Sequence, residues 1–169
     1  MDALEAIMQR RSIRKYTDEA VSEEHIQILL DAAMAAPSAC NAAEWHFVVI
    51  TDRAALDEIP EMNPYAAMAR QAPLAILVCA DKKAEIYPGF WVQDTSAAME
   101  NLLVAATALG LGAVWTGIHP IAERSVAFAK RFKLPEGVMP LGLAVIGHPA
   151  QALAPHGKAD PAKIHRNAW

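Results

Sequence analysis

Three arginines fall within five positions, Arg10-Arg11-Ser12-Ile13-Arg14, where a short amphipathic stretch gives out and the chain runs extended toward Tyr16. Guanidinium groups make short, forked, charge-assisted bonds to phosphate oxygens. Cations this dense beside a hydroxyl can therefore neutralise and orient a phosphate. The chain as a whole carries a formal charge of −4, and the patch stands out against that background. A solvated basic turn is the competing reading of an isolated Arg-Arg pair, and the other segments decide between the two.

The arginines need a scaffold, and 169 residues suffice for one domain, spanning 1–169, with a real core. Hydrophobic residues make up 54% and charged residues 20%, an apolar balance that favours burial against a second copy of the chain. The acidic balance argues against nucleic acid as a partner, which would need a broad basic face. Met1-Asp2-Ala3-Leu4-Glu5 lacks the basic start of a secretory signal, and the apolar run Leu74 to Ala80 is too short to cross a bilayer. A cytoplasmic protein with no membrane partner is expected. Cys40 and Cys79 are far apart and read as buried free thiols, and the scattered single histidines predict no metal site.

Periodicity places the elements. Asp2 to Gln9 reads as a helix. Ser22 caps a second one, with Ile26, Leu29, Leu30, Ala33 and Met34 on one face until Pro37. Trp45 to Ile50 is a strand. Arg53 to Ile59 is a short helix broken by Pro60 and Asn63-Pro64, with helical character resuming from Tyr65 to Gln71. Leu74 to Ala80 is a fully buried strand, followed by a connection containing Tyr87-Pro88-Gly89-Phe90. From about Val92 to Leu109 runs the longest helix, apolar nearly all round, which predicts cover on all sides and hence a second subunit. Gly110-Leu111-Gly112 reads as its termination. Trp115 occupies the third glycine position of a dinucleotide fingerprint, which excludes that motif. Ala113 to Thr116 is a strand, Ala122 to Phe132 a helix, and Val138 to Ile146 a strand interrupted by Pro140 and Gly142. From Gly147 the chain has no core periodicity and either dangles or wraps a neighbour. Helix first, then strands mixed with helices, is the order of an α+β layer fold.

Four segments share one interpretation: the arginine cluster; Pro37-Ser38-Ala39-Cys40-Asn41 leading into Trp45-His46-Phe47; Gly110 through Gly117-Ile118 after the long helix; and Pro161 to Trp169. In this order and spacing the whole chain closely resembles the nitroreductase family of FMN-dependent oxidoreductases. The resemblance implies a central, mostly antiparallel sheet of four to five strands flanked by helices, in an intertwined homodimer with FMN at the subunit interface. It also implies hydride transfer from NAD(P)H through flavin N5 to a small electron-poor acceptor such as a nitroaromatic or quinone. The same scaffold serves dehalogenation, enoate reduction and flavin breakdown, and a non-catalytic FMN-binding protein is the alternative from another class.

The resemblance also assigns residues. Arg10, Arg11 and Ser12 would meet the phosphate and ribityl chain. Arg14 would reach the N1–C2=O edge of the ring, where a fixed cation favours the reduced anion. Pro37, Ser38, Ala39 and Asn41 would meet the FMN of the other subunit, Asn41 offering both donor and acceptor. Backbone N–H groups of Trp115, Thr116 and Gly117 would approach N5 and O4, Gly117 because it lacks a Cβ. Lys163 and Arg166 would return to the phosphate, unless the tail is a frayed cationic end. Asn63, Tyr65, Phe90 and Trp91 are read as the lining of the slot above the ring, from their loop positions and aromatic character. Where the family usually continues Gln-Pro-Trp, this chain has Ala43-Glu44-Trp45. Glu44 either points into the site or, the favoured reading, is an exposed charge at a strand end.

Overall fold

A computed structural model describes residues 1–152, 157 and 159–169. Its helices are α1 (Ala3–Gln9), α2 (Glu23–Met34), α3 (Arg53–Met62), α4 (Trp91–Ala108) and α5 (Ala122–Arg131). Its strands are β1 (Trp45–Ile50), β2 (Leu74–Asp81), β3 (Gly112–Gly117) and β4 (Val138–Gly147), with 3-10 turns at Ala39–Asn41, Pro64–Arg70 and Pro161–Lys163. The strands form one antiparallel sheet in the order β1-β2-β4-β3, flanked by helices.

The apolar run in β2 is buried along its length because it feeds two layers at once. Successive side chains of a strand point to opposite faces. Leu74, Ile76, Val78 and Ala80 therefore join Leu29 and Ala33 of α2 and Met99 and Leu102 of α4. Ala75, Leu77 and Cys79 join Leu56 and Ile59 of α3 and Phe128 of α5 on the other side. The helices thus cover both faces of the sheet, while β3 is left as an edge.

Pro60 and Pro140, read as breaks, are accommodated within their elements. α3 continues through Pro60 to Met62 and closes with the Asn63 amide donating to the Ile59 carbonyl at 2.9 Å. Full burial of Leu56 and Ile59 outweighs the one backbone bond that Pro60 forfeits. β4 runs without interruption. Pro140 pairs with Cys79 where the β2–β4 register shifts, and it lies beyond the end of β3, so no ladder bond is missing on that side. Gly110 does terminate α4. It takes φ +76°, and Leu111 N–H returns to the Ala106 carbonyl at 2.8 Å. Gly112 instead opens β3.

Cys79 is buried, and that burial pushes its thiol up to about 12; Cys40, expected to be buried, is exposed. A thiol reagent at about pH 8 is therefore expected to leave Cys79 unmodified in the native protein and to reach it after denaturation. Peptide mapping of the labelled protein checks this. After β4 the chain returns alongside residues 14–17: Tyr16 bridges Pro149, and Ala150 N–H donates to the Lys15 carbonyl at 2.9 Å. Part of the expected unpatterned tail, residues 153–156 and 158, lies outside the described residues. Residues 159–169 are exposed, with Trp169 stacked on His165. No helix among the described residues is long and apolar enough to cross a membrane.

Candidate active site

The arginine segment is docked on the free edge of β3. Ser12 forms a parallel bridge with Ala113, and Ile13 N–H donates to the Ala113 carbonyl at 3.0 Å. Ile13 is the buried member, packed against Gly112; alternation turns Ser12 and Arg14 outward, and both are exposed. The Tyr16 hydroxyl sits between the Ile13 carbonyl at 2.5 Å and the Val145 carbonyl at 2.9 Å, tying the segment to β4. Burial pushes the Tyr16 phenol well above its ordinary range, with Arg14 pulling weakly the other way.

The three guanidiniums are not equivalent. Arg10 pairs through Nε with Glu100 of α4 at 3.1 Å. Arg11 folds back so that Nη1 donates to the Met8 carbonyl at 3.0 Å and the Arg10 carbonyl at 2.6 Å. Arg14 keeps to the Ser12 side, Nη1 lying 3.4 Å from the Ser12 carbonyl, and its amide donates to Gln151 Oε1 at 2.9 Å. Arg14 and Ser12 thus face outward together.

The other end of the same edge carries a second cluster. The Gly117 carbonyl accepts from Asn63 Nδ2 at 3.2 Å and from Arg124 Nη1 at 2.9 Å. Asn63, fully buried, accepts the Tyr65 amide at 3.2 Å, and the Arg124 guanidinium lies over the Tyr65 ring, 5.2 Å from its centroid. Tyr65 is 73% exposed. In a strand, backbone groups of residues two apart point the same way. Ala113 and Gly117 both bond away from β4, so Trp115 and Gly117 turn their N–H groups to this open edge. Thr116 is turned into the sheet: it is buried, pairs with Leu143, and donates its hydroxyl to the Leu143 carbonyl at 3.3 Å.

Asn63 and Tyr65, read as slot residues, are thereby brought to Gly117. Trp91 is not on an open slot; it is buried and packs edge-on against His119, with centroids 4.7 Å apart. Phe90 is exposed and packs edge-on against Tyr87. Lys163 and Arg166 lie exposed in the tail, with no ion pair to bring them to the arginine segment among the described residues. Arg124 was not legible in the sequence, because nothing in its helix separates it from the other surface cations. Its one sequence signal is position, seven residues beyond Gly117.

The loop after Pro37 is a tightly held turn. Cys40, Asn41 and Ala43 take φ of 54°, 56° and 48°, a conformation that suits Asn and strains the other two. Ser38 Oγ accepts the Ala43 amide at 2.9 Å, and Asp94 Oδ2 of α4 accepts the Ala39 amide at 2.9 Å. The Asn41 side-chain amide bonds to none of the described residues. No hydrogen bond or ion pair among the described residues joins this turn to Arg10–Arg14 or Gly117. Glu44, at its end, is not the exposed charge expected. It is 1% exposed, neither carboxylate oxygen has a hydrogen-bond partner, and burial, aided by Asp94 and Glu85, pushes its carboxyl up.

Comparison with known proteins gives this arrangement its context. A sequence model of the Nitroreductase family matches residues 7–63 and 60–148. A relative from Methanothermobacter thermautotrophicus, provisionally named NADH dehydrogenase/NAD(P)H nitroreductase, is 50% identical over 169 residues, covering 100% of this chain and 88% of its own length. A structure from Parabacteroides distasonis with the same provisional name superposes with a TM-score of 0.95 at 42% identity, covering 99% of this chain and 98% of that one. A provisionally named nitroreductase from Desulfovibrio desulfuricans, solved in complex with FMN, gives 0.86 at 35% identity over 100% of this chain and 98% of that one. With its sheet, its docked arginine segment and a family match over residues 7–63 and 60–148, the chain belongs to the nitroreductase family.

Proposed function

We propose that the protein is an FMN-dependent NAD(P)H oxidoreductase acting as a homodimer, with FMN lying along the open edge of β3. The observation that carries this reading is the edge itself. Outward-facing Ser12 and Arg14 mark one end and the Asn63–Gly117–Arg124 cluster the other, with the N–H groups of Trp115 and Gly117 between. Ala113 to Gly117 spans about 13 Å at strand rise, the scale of a phosphorylated, ribityl-linked ring. A Cβ built on Gly117 meets nothing closer than 3.9 Å, so a flat ligand can approach the backbone there. The donor set fits the group: cations and a hydroxyl suit the phosphate and ribityl chain, and backbone N–H groups suit the ring's polar edge.

Bound there, FMN would supply two-electron hydride chemistry between NAD(P)H and an electron-poor acceptor, a nitroaromatic or quinone. The chain's own residues hold and orient. Arg14 offers a fixed cation to the anionic edge of the ring. Gly117 offers a backbone donor that does not titrate, and Tyr65 with Arg124 walls the mouth through which donor and acceptor pass. Homodimerisation is supported by what the single chain leaves open. Leu4, Ile7, Met8 and Met34 are exposed apolar side chains around α1 and α2, and among the described residues no hydrogen bond or ion pair joins the Ser38–Asn41 turn to the arginine segment of its own chain. A second copy would bring that turn to the flavin.

Purified protein is expected to be yellow, or to take up FMN, and to oxidise NAD(P)H faster when a nitroaromatic or quinone is added. Colourless protein that refuses FMN would overturn the reading. Arg14→Ala is expected to weaken FMN binding about tenfold or more, the loss of one charge-assisted contact, and to lower the flavin potential while the dimer persists. Flavin fluorescence titration and redox titration against a dye check this; unchanged affinity and potential would remove Arg14 from the site.

A further inference from the structure

Glu44 stands out from every other acid in the described chain. Its carboxylate is enclosed at the junction of the turn and β1, with both oxygens out of contact with solvent and unbonded. A second subunit cannot reach atoms already covered within one chain. The charged groups facing it are acids: Asp94 from the first turn of α4, and Glu85 from the connection between β2 and α4. Glu85 is already engaged, its Oε1 accepting the amides of Gly89 at 2.6 Å and Trp91 at 3.0 Å. The neighbouring strand brings Asp81, whose amide donates to the Glu44 carbonyl at 2.8 Å and whose own carboxylate accepts the Lys83 amide. No Lys, Arg or His pairs with Glu44 among the described residues.

Two neighbouring buried carboxylates cannot both be ionised at acceptable cost, whereas one proton between them converts repulsion into a short, charge-assisted O–H···O bond. Asp94 is the acceptor in reach, and it already holds the Ala39 amide through Oδ2 at 2.9 Å. We propose that Glu44 is a positioning residue. By sharing one proton with Asp94 it fixes the carboxylate that grips the Ala39 amide, and so sets the shape of the Ser38–Asn41 turn. Burial raising the Glu44 carboxyl above its ordinary range agrees with this.

The sign follows. Neutral Glu44 stabilises the fold. In the unfolded chain it ionises in the ordinary carboxylate range, so the contribution is full below that range and is lost as pH rises through the raised native value. Once ionised, Glu44 repels Asp94, the grip on Ala39 slackens, and the left-handed residues Cys40, Asn41 and Ala43 lose what holds them. Because the turn would meet the flavin, FMN affinity falls with rising pH; this last step rests on the function proposed above.

Glu44→Gln is the discriminating variant, since its amide donates to Asp94 at every pH. Two readouts are needed: the Ala39 amide proton shift in the flavin-free protein, and the FMN dissociation constant. Both are followed from the ordinary carboxylate range to about pH 9, with FMN affinity read as the ratio of native to Glu44→Gln at each pH so that the titration of the FMN phosphate at about pH 6 cancels. In the native protein the Ala39 shift is expected to titrate above the ordinary carboxylate range and FMN to weaken about tenfold relative to Glu44→Gln, the loss of one charge-assisted bond, while the Ala39 shift of Glu44→Gln stays flat. Glu44→Ala is expected to bind FMN about tenfold more weakly throughout. The thermal midpoint of Glu44→Gln should exceed the native one at high pH and converge with it near the ordinary carboxylate range. Coincident Ala39 titrations in the native protein and Glu44→Gln would overturn the positioning role while leaving the flavin reading intact. An Ala39 titration abolished by Glu44→Gln in a protein that binds no FMN at any pH would sustain the positioning role and overturn the flavin reading.

Discussion

Gly112→Ala is expected to lift the arginine segment off the sheet. A Cβ at this position would lie 2.5 Å from Ile13 Cγ2 and 2.8 Å from Ile13 Cβ, distances that real contacts do not reach. Ile13 cannot yield cheaply. It is buried, stiff at χ1 because it is β-branched, and tied through its own amide to Ala113, the residue beside the substitution. Either β3 moves away from β4 or residues 12–14 leave their seat. Such overpacking costs about 1–3 kcal/mol, and the second outcome also carries Ser12 and Arg14 out of register with Gly117. Thermal unfolding should shift accordingly, and FMN affinity should drop about tenfold or more, one charge-assisted contact's worth. Gly110→Ala is the control: there a Cβ meets nothing within 4 Å but φ is +76°, so backbone strain lowers stability without touching the seat of Ile13. A double-mutant cycle with Ile13→Ala should give a combined cost well below the sum of the two, since removing the Ile13 side chain vacates the space that the added Cβ needs. Additive costs would show that the two residues do not share that contact.

How much of this was legible in the sequence depended on whether the information was local. β2 could be read because seven apolar residues in a row, too few for a typical helix and including β-branched Ile76 and Val78, fit a strand covered on both faces, and the structure splits them alternately between two helix layers. The outward placement of Ser12 and Arg14 follows from a single apolar residue between them. Asn63 and Tyr65 could be placed near a slot from loop position, but the bonds that join them to Gly117 span more than fifty residues and leave no local trace. Arg124 and Asp94 were missed for that reason. Each looks like an ordinary polar residue near the start of its helix, and each acquires its role only from the loop it touches. Gly112 was read as part of a helix stop because Gly-x-Gly after a long helix usually is one. The reason for its lacking a side chain lies a hundred residues upstream, at Ile13. Glu44 was misread because carboxylates are seldom buried without a cation. The rule fails here where a neighbouring acid can share a proton, and no sequence pattern announces that.

Gly142→Ala should have the second large effect, at the opposite end of β3. Gly117 and Gly142 are direct partners across the β3–β4 ladder, and Trp115 lies two residues from Gly117 on the same face. Two facing glycines leave a flat floor, and the Trp115 indole occupies it. A Cβ built at Gly142 would collide with Trp115 Nε1, stand 2.9 Å from Cδ1 and lie 3.2 Å from the Thr116 carbonyl. The ring is rigid and the carbonyl is backbone in a paired strand, so neither can give by a small rotation. Trp115 must swing off the sheet. That exposes its apolar surface and Ala144, its cross-strand partner on the same face, at a cost of about 1–3 kcal/mol. The swing also moves the indole through the space beside the Trp115 and Gly117 N–H groups, so bound flavin should be displaced or lost. Near-ultraviolet circular dichroism and tryptophan emission would report the ring's release, and flavin content the loss of the site. Trp115→Phe in the Gly142→Ala background should recover much of the stability, because the smaller ring clears the new methyl. A Gly142→Ala protein with native melting and native tryptophan emission would mean that the glycine floor is not what seats Trp115.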